Sequence, residues 1–292
     1  LAALERSELQ TQHYKLMAEI ADYKDILSNL TRQRSIVSEE LAEIVNKFGD
    51  ERRSTIVADE NDVTHEDLIA VEPIVVTLSA DGYIKRTKAA LYRSQKRGGR
   101  GVKGAALKQD DVVTNFFVTT THHWILFFTN RGRVFRVKAY ELTDTGRDAR
   151  GQHVANLLSL APEEQVVEVQ DLRDYSQAKY LVLATRNGVI KKSRLADYDS
   201  SRSTGLVAIT LRDEDDVVSA QLVNDEDDLL LVSKMGYSVR CHADDATLRP
   251  MGRTAGGVIG IRFKTDDDYL LKMEVATPDS FVVTVTEGGW AK

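Results

Sequence analysis

The residue types best suited to binding an anionic ligand lie in one short segment, residues 95–101, which reads Gln-Lys-Arg-Gly-Gly-Arg-Gly. Three cations stand among three glycines, and glycine lets a backbone approach a ligand closely and adopt positive φ without steric cost. From residue 82 to residue 103 the chain has eight basic residues and no acidic one, although its formal net charge is −6. Such a local excess of positive charge indicates a polyanionic partner. We therefore predict phosphate contacts from the whole segment: Gln95, Lys96, Arg97, Gly98, Gly99, Arg100 and Gly101.

The composition is that of a folded protein with about two domains. The chain has 292 residues, of which 42% are hydrophobic and 29% charged. A single cysteine, Cys241, excludes a disulfide framework and predicts a reducing, cytoplasmic compartment. No apolar run approaches the roughly 20 residues of a membrane span. The chain lacks an initiator Met, and we expect it to be a fragment of a longer protein.

Three regions are expected from the sequence pattern. Residues 1–50 show apolar residues at helical spacing, interrupted at Ser28 and Asn29, which predicts two helices forming either a helical hairpin or part of a coiled coil. Residues 51–72 are rich in acidic residues and predict a linker. Residues 73–292 change to short apolar runs separated by tight turns, which predicts β-structure.

The β region is built from a repeat of about 50 residues. In each copy an apolar run leads to a turn glycine, and these glycines are Gly82, Gly132, Gly188, Gly236 and Gly289. A second glycine follows in the complete copies, at Gly101, Gly151, Gly205 and Gly257. An all-β repeat of this length is typical of propeller blades. The sequence therefore predicts at least four blades and a partial fifth, incomplete at the C-terminus.

Cations recur just after the turn glycines, whereas acidic clusters fall elsewhere in the repeat. Because a repeat places equivalent residues on equivalent faces, we expect the cations to form a basic rim and the acids to lie on another part of the disc. The acidic runs at residues 213–216 and 225–228 lack the pattern of a calcium loop and are interpreted as solvated turns. The predicted rim residues are Lys85, Arg86, Lys103, Arg133, Arg136, Lys191, Lys192 and Arg240.

Segment 95–101 resembles the seven-residue box of the DNA gyrase A family, Gln-(Arg/Lys)-Arg-Gly-Gly-(Lys/Arg)-Gly. The repeats resemble the DNA-wrapping β-pinwheel at the C-terminus of that family. Residues 20–27 and 48–53 are similar to the end of its helical arm, so the resemblance covers essentially the whole chain, and actinobacterial members are the nearest match.

This resemblance implies a pinwheel of about six blades in the full-length protein, in which each hairpin enters the adjacent blade. It also implies that the box begins the wrapping of duplex DNA and that the complete enzyme introduces negative supercoils. The implied partners are duplex DNA, the gyrase B protein and a second copy of gyrase A, giving a heterotetramer. ATP and Mg²⁺ would act through the gyrase B protein, and no cofactor is expected in this chain. The DNA-cleaving tyrosine of the family lies upstream, so no catalytic residue is assigned here and this part alone should not cleave DNA.

Other interpretations are weaker. The corresponding proteins of topoisomerase IV share the blades but generally lack an intact box, and kelch-like protein-binding propellers have aromatic residues that this repeat lacks. Gly99, Gly101 and Gly104 match a dinucleotide-binding pattern but do not follow a buried strand or open a helix. His122 and His123 are adjacent and should point to opposite faces of a strand, so no metal site is predicted.

Overall fold

The computed structural model describes residues 2–50, 54, 65–92, 111–278 and 280–292, with side chains from residue 6 onward. These residues belong to two compact units, Leu1–Asp62 and Val63–Lys292. Within the described part of the chain, no helix has both the length and the apolar character needed to cross a bilayer.

The first unit consists of two helices, α1 (Ala2–Ser28) and α2 (Leu30–Phe48). Asn29 separates them because its backbone is extended while its side chain accepts hydrogen bonds from the N–H groups of Thr31 and Arg32, at 3.1 and 3.3 Å. Arg32 reaches back across the break to Asp22 and Asp25. The predicted helices and their interruption at residues 28–29 are confirmed.

The second unit is built almost entirely from short β-strands, with single 3₁₀ turns between some of them. The strands are β1 (Pro73–Ser79), β2 (Tyr83–Lys88), β3 (Val113–Thr120), β4 (Trp124–Thr129), β5 (Arg133–Lys138), β6 (Gln152–His153), β7 (Val166–Leu172), β8 (Tyr180–Thr185), β9 (Val189–Arg194), β10 (Leu206–Val207), β11 (Val217–Val223), β12 (Asp228–Ser233), β13 (Ser238–His242), β14 (Val258–Ile259) and β15 (Leu270–Ala276).

The strands form four antiparallel sheets, one for each repeat. Their orders are β3-β1-β2-β6, β7-β4-β5-β10, β11-β8-β9-β14 and β15-β12-β13. In the first three sheets the outermost strand comes from the following repeat: β6 pairs with β2, β10 with β5, and β14 with β9. Exchange between neighbouring blades was expected from the family resemblance, and the structure shows that the two-residue strand after the second glycine is the exchanged element.

The second glycines are needed where the exchanged strands approach the preceding blade. Gly151, Gly205 and Gly257 all have φ between +80° and +92°. A Cβ on Gly151 would lie 2.3 Å from the carbonyl oxygen of Ile84, and one on Gly257 would lie 2.6 Å from that of Ile190. Any other residue at these positions would push the exchanged strand away from its partner.

The hydrophobic core lies between the blades. In β4, Ile125 and Phe127 pack toward the first blade, while Leu126 and Phe128 pack toward the third. A central strand buried on both faces is a continuous apolar run rather than an alternating one. The apolar runs that mark each repeat in the sequence are therefore the blade centres, and the predicted all-β propeller with a helical segment before it is confirmed.

Candidate nucleic-acid interface

The box residues Gln95, Lys96, Arg97, Gly98, Gly99, Arg100 and Gly101, together with Lys103, lie outside the described residues. The described rim candidates are the hairpin cations Lys85, Arg86, Arg133, Arg136, Lys191, Lys192 and Arg240. These seven residues follow the turn glycines on β2, β5, β9 and β13.

The three hairpin lysines are not at the surface. Lys85 is 1% exposed, and Lys191 and Lys192 are 0% exposed. The predicted position of these three on a basic rim is wrong, because residues of the next repeat cover the side chains and their carbonyls bind the ammonium groups. The ammonium groups of these three lysines are therefore not accessible to a phosphate group.

Each buried ammonium is bound by backbone carbonyls. Lys85 donates to the carbonyls of Gly146 (3.2 Å), Ala149 (2.9 Å) and Arg147. Burial lowers the pKa of Lys85, and the charge of Asp148 partly opposes that shift.

Lys191 donates to the carbonyls of Ala208 and Arg253 and lies 3.4 Å from the hydroxyl oxygen of Tyr198. Burial lowers the pKa of Lys191 to about 8, with the charge of Arg253 adding to the shift. Lys192 donates to the carbonyl of Ala243 and forms an ion pair with Asp245 at 2.7 Å.

The hairpin arginines are ion-paired. Arg136 binds Asp199 and lies 4.0 Å from the ring centre of Trp124, with only 14% of its side chain exposed. Arg240 is 62% exposed and its Nε donates to Asp228 at 2.7 Å.

Arg133 holds a carboxylate that is completely buried. Its Nε donates to Glu164 at 2.8 Å, and the Glu164 side chain is 0% exposed. Burial opposes ionisation of Glu164, but hydrogen bonds from Arg133, Thr129 and the Ala161 N–H outweigh it and lower the pKa of Glu164 to about 2.

In three successive repeats, a cation at the same position forms an ion pair with an acidic residue of the next blade. The fourth residue after the turn glycine is Arg86, Arg136 or Lys192, and its acidic partner lies in the next repeat. The pairs are Arg86 with Asp144 at 4.0 Å, Arg136 with Asp199, and Lys192 with Asp245 at 2.7 Å. Within the described residues, cations whose regular spacing predicted a DNA-binding rim thus form regularly repeated contacts between neighbouring blades. Whether Arg86, Arg133, Arg136 and Arg240 also touch DNA stays a prediction.

The acidic turns are only partly solvated. One carboxylate in each of three turns is buried and accepts a hydrogen bond from the backbone N–H of a hairpin turn. The interpretation of run 213–216 as a solvated turn is therefore wrong for Asp215, which is 7% exposed, and Asp268 in the acidic run 266–268 is likewise only 5% exposed. The acceptor–donor pairs are Asp111 with Asp81 (3.0 Å), Asp215 with Asn187 (2.9 Å), and Asp268 with Met235 (3.0 Å).

A second set of cations lies between the hairpins and the second glycines, in residues 143–151, 199–205 and 249–257, which we call the arginine loops. They occupy the same part of the repeat as the box. The guanidinium groups of Arg147, Arg202 and Arg249 have no ion pair or hydrogen bond with any described residue. Arg202 and Arg249 are exposed and Arg147 is half-buried. These residues were missed in the sequence, although their position before a second glycine was a usable signal.

The other two loop arginines are partly engaged. Arg150 lies 4.5 Å from the ring centre of Tyr83, and Arg253 donates to the carbonyl of Val207. The first loop also contains exposed Asp148, whereas loop 249–257 contains no acidic residue.

Histidines of the second unit take part in hydrogen bonds rather than in a metal cluster. Nδ1 of His123 is 3.0 Å from Asp171, and Nδ1 of His122 is 3.0 Å from the Thr121 hydroxyl. Within the described ranges, no three His, Cys, Asp or Glu side chains are grouped as a metal site.

The four sheets with strands exchanged between neighbours define the domain as a β-propeller of the strand-exchanged class. The family described as DNA gyrase C-terminal domain, beta-propeller, matches residues 73–120, 123–170, 179–224 and 227–277, one segment for each blade. The chain belongs to this family.

Curated relatives agree with the family match over the full chain. The DNA gyrase A protein of Streptomyces coelicolor is 55% identical over 297 residues, covering 100% of this chain and 34% of the relative. The DNA gyrase A protein of Mycolicibacterium smegmatis is 58% identical, covering 100% of this chain and 35% of the relative. The predicted resemblance to actinobacterial gyrase A proteins is confirmed, and the chain spans about a third of the length of these relatives.

Solved structures give the same fold. A C-terminal domain of DNA topoisomerase IV matches with a TM-score of 0.64 and 30% identity, covering 77% of this chain and 68% of that chain. A DNA gyrase A C-terminal domain matches with a TM-score of 0.60 and 26% identity, covering 75% of this chain and 70% of that chain.

Proposed function

We propose that this chain binds duplex DNA along its arginine loops and box segment and wraps it around the outside of the propeller. The observation that carries the proposal is that the same loop of three successive repeats contains an arginine without a partner among the described residues: Arg147, Arg202 and Arg249. A cation without an intramolecular partner is free to neutralise a phosphate, whereas the paired hairpin cations would first have to give up a carboxylate.

Contacts of this kind fit wrapping rather than sequence recognition. Bending 20–30 bp of DNA by 40–90° costs on the order of 1–6 kcal/mol, and phosphate contacts with counterion release can offset it without reading bases. Loop 249–257 should contribute most for its size, because no acidic residue opposes its two arginines. In loop 143–151, exposed Asp148 weakens the local field.

Within a complete gyrase the wrap would have one hand, so that strand passage lowers the linking number. The activity would require ATP and Mg²⁺ acting through the gyrase B protein, in a heterotetramer containing two copies of gyrase A, in the cytoplasm on the nucleoid. The names of the full-length relatives support this assignment. This chain would supply the DNA path and no catalytic residue, and the box residues 95–101 with Lys103 would begin that path.

The test is the topology of nicked plasmid ligated in the presence of the chain. We expect the linking-number distribution to shift in one direction with rising protein and to lose that shift at high salt. The triple variant Arg147→Ala, Arg202→Ala, Arg249→Ala should reduce the shift, as should alanine at Lys96, Arg97 and Arg100. Arg262→Ala is the matched control, since Arg262 is also exposed but lies outside the loops, close in sequence to an acidic turn.

Two outcomes would count against the proposal. Absence of DNA binding at low salt would exclude a nucleic-acid interface. Binding with a topoisomer shift that the triple variant leaves intact would exclude the arginine loops as the path and return the hairpin arginines Arg86, Arg133, Arg136 and Arg240 to consideration.

A second candidate is the corresponding domain of topoisomerase IV, favoured by the structural match with a TM-score of 0.64. The identity of 55–58% to gyrase A proteins over the whole chain favours gyrase. The two differ in measurable activity. As part of its full-length protein, and combined with the gyrase B protein, this chain should support ATP-dependent negative supercoiling, whereas a topoisomerase IV domain would support decatenation without it.

A further inference from the structure

Two buried lysines occupy the same position in different repeats. Lys85 and Lys191 are each the third residue after a turn glycine, and each binds the carbonyl of an arginine in the next repeat's arginine loop. These two arginines, Arg147 and Arg253, are themselves equivalent, since each lies four residues before a second glycine. The same contact between a lysine ammonium and an arginine carbonyl is therefore made at two blade boundaries.

A fully buried lysine without a carboxylate partner is rare, because removing its charge from water is unfavourable. Among the described residues, the charge that acts on Lys85 is that of Asp148. Around Lys191 they are Arg253, which opposes the charge, and Asp197, which favours it, together with the hydroxyl of Tyr198. The ammonium is held mainly by carbonyl oxygens rather than by an ion pair.

The second repeat shows that the fold does not need a lysine at this position. Its equivalent residue is Phe135, which is 2% exposed and packs against the position of Gly205. There Arg133 reaches the loop instead, with its Nη1 donating to the carbonyl of Thr204 at 3.2 Å. An apolar side chain can thus fill the site, so the lysines must provide something that packing alone does not.

We propose that Lys85 and Lys191 are positioning residues for DNA binding, each fixing the backbone of the next repeat's arginine loop through the carbonyl of Arg147 or Arg253 so that the loop's guanidinium groups face the DNA. This inference rests on the proposed function. Without the ammonium groups, three carbonyls of loop 143–151 and the Arg253 carbonyl of loop 249–257 would lose their buried partner and would turn toward water, and the attached arginines would turn with them.

The experiment uses the chain carrying Lys85→Met and Lys191→Met, which keep side-chain length but remove the charge and the donors. Binding to a linear duplex is measured over a range of salt concentrations. We expect the slope of log K against log salt to fall by about 1 for each loop that is released, as it would after loss of one phosphate contact. The urea midpoint should change little, because the cost of burying the charge disappears while the released carbonyls regain water as a partner.

A double-mutant cycle separates positioning from a general effect on the fold. If Lys85 acts through the loop, Lys85→Met should cause a smaller loss of affinity in the Arg147→Ala background than in the unmutated chain, and the same should hold for Lys191→Met with Arg249→Ala. Additive losses, or an unchanged salt slope in the lysine variants, would overturn the inference. Phe135→Met is the matched control and should leave the slope unchanged.

A measurement on the unmutated side chains covers the case in which the methionine variants fail to fold. Between pH 7 and pH 9 Lys191, with its pKa near 8, loses most of its proton, so binding should weaken and the salt slope should fall. In Arg249→Ala this pH dependence should be reduced, because one of the arginines that the loop presents is gone, and an equal pH dependence in both proteins would contradict the inference. Failure of the unmutated chain to bind DNA at pH 7 would instead refute the proposed function itself.

Discussion

The hairpins and the arginine loops carry similar numbers of cations but use them differently. Hairpin cations are held by partners within the fold: Lys85 and Lys191 bind carbonyls, Arg133 binds a buried carboxylate, and Arg136 is held by Asp199. Loop arginines such as Arg202 and Arg249 have no described partner. Periodic positive charge in a repeat protein can therefore serve assembly in one part of the repeat and remain available for a ligand in another. The presence of a partner distinguishes the two uses, and sequence position alone does not.

The largest loss of stability is expected when Arg133 is removed. Arg133→Met leaves the fully buried Glu164 carboxylate without its cation, which should lower the free energy of unfolding by about 3–5 kcal/mol. The measurement is urea unfolding. The double variant Arg133→Met, Glu164→Met should recover most of the loss, because the buried charge is then gone. A small effect of the single variant would mean that hairpin cations are not structural.

The pH dependence of the unfolding free energy should show the contribution of ionised Glu164 in the unmutated chain. The pKa of Glu164 is about 2 in the folded chain and 4.5 for a free glutamate, so the unfolded chain binds the proton more readily. The ionised Glu164 carboxylate with all its hydrogen-bond partners thus contributes about 3 kcal/mol at neutral pH, fully present above about pH 5 and lost as the pH falls toward 2. Unfolding free energies at pH 7 and pH 3 should differ by less in Glu164→Gln than in the unmutated chain. Equal differences would show that Glu164 does not titrate as described.

The loop arginines should show the opposite behaviour. Single changes Arg147→Ala, Arg202→Ala and Arg249→Ala should leave the urea midpoint unchanged, since none of these guanidinium groups has a described partner. Each should lower the salt slope of DNA binding by about 1. Arg262→Ala, an exposed arginine elsewhere, should change neither quantity. If a loop variant unfolds at lower urea but binds DNA normally, that arginine has a structural role like that of the hairpin cations.

Arg240 is the borderline case and should give the smallest effect. It is the most exposed of the ion-paired hairpin arginines, and Asp228 keeps a second partner in His242. Arg240→Ala should therefore shift the urea midpoint far less than Arg133→Met. A measurable decrease in the salt slope of DNA binding would show that a paired but exposed cation also contributes to the DNA path.

The sequence was sufficient for the parts of the fold that depend on local pattern. Continuous apolar runs followed by glycine turns predicted the blade centres, because strands buried on both faces need such runs, and the break at Asn29 followed from its capping chemistry. Strand exchange could not be derived in this way. The exchanged strand β6 has two residues, and its partner β2 is about 70 positions earlier, so no local periodicity marks the pair.

The burial of the hairpin lysines also could not be predicted from the local sequence. A lysine on a strand is usually exposed, and the carbonyls that hold Lys85 belong to another repeat. The useful signal was the comparison between repeats: the third residue after the turn glycine is Lys85, Phe135 or Lys191, and the phenylalanine indicates a position that can be buried. The loop arginines were missed because only the first copy of the loop has the full box.

The exchanged strands also order events during synthesis of the chain on the ribosome. The first sheet cannot be completed until residue 153 has emerged, the second waits for residue 207, and the third for residue 259. Each nascent blade therefore keeps an unpaired edge strand while the next repeat is translated. The sheets are completed in chain order, each only after part of the following repeat has been synthesised. A pause in translation just before a second glycine would prolong the exposure of that edge, which makes these positions the ones where slow translation carries the greatest risk of strand pairing with another chain.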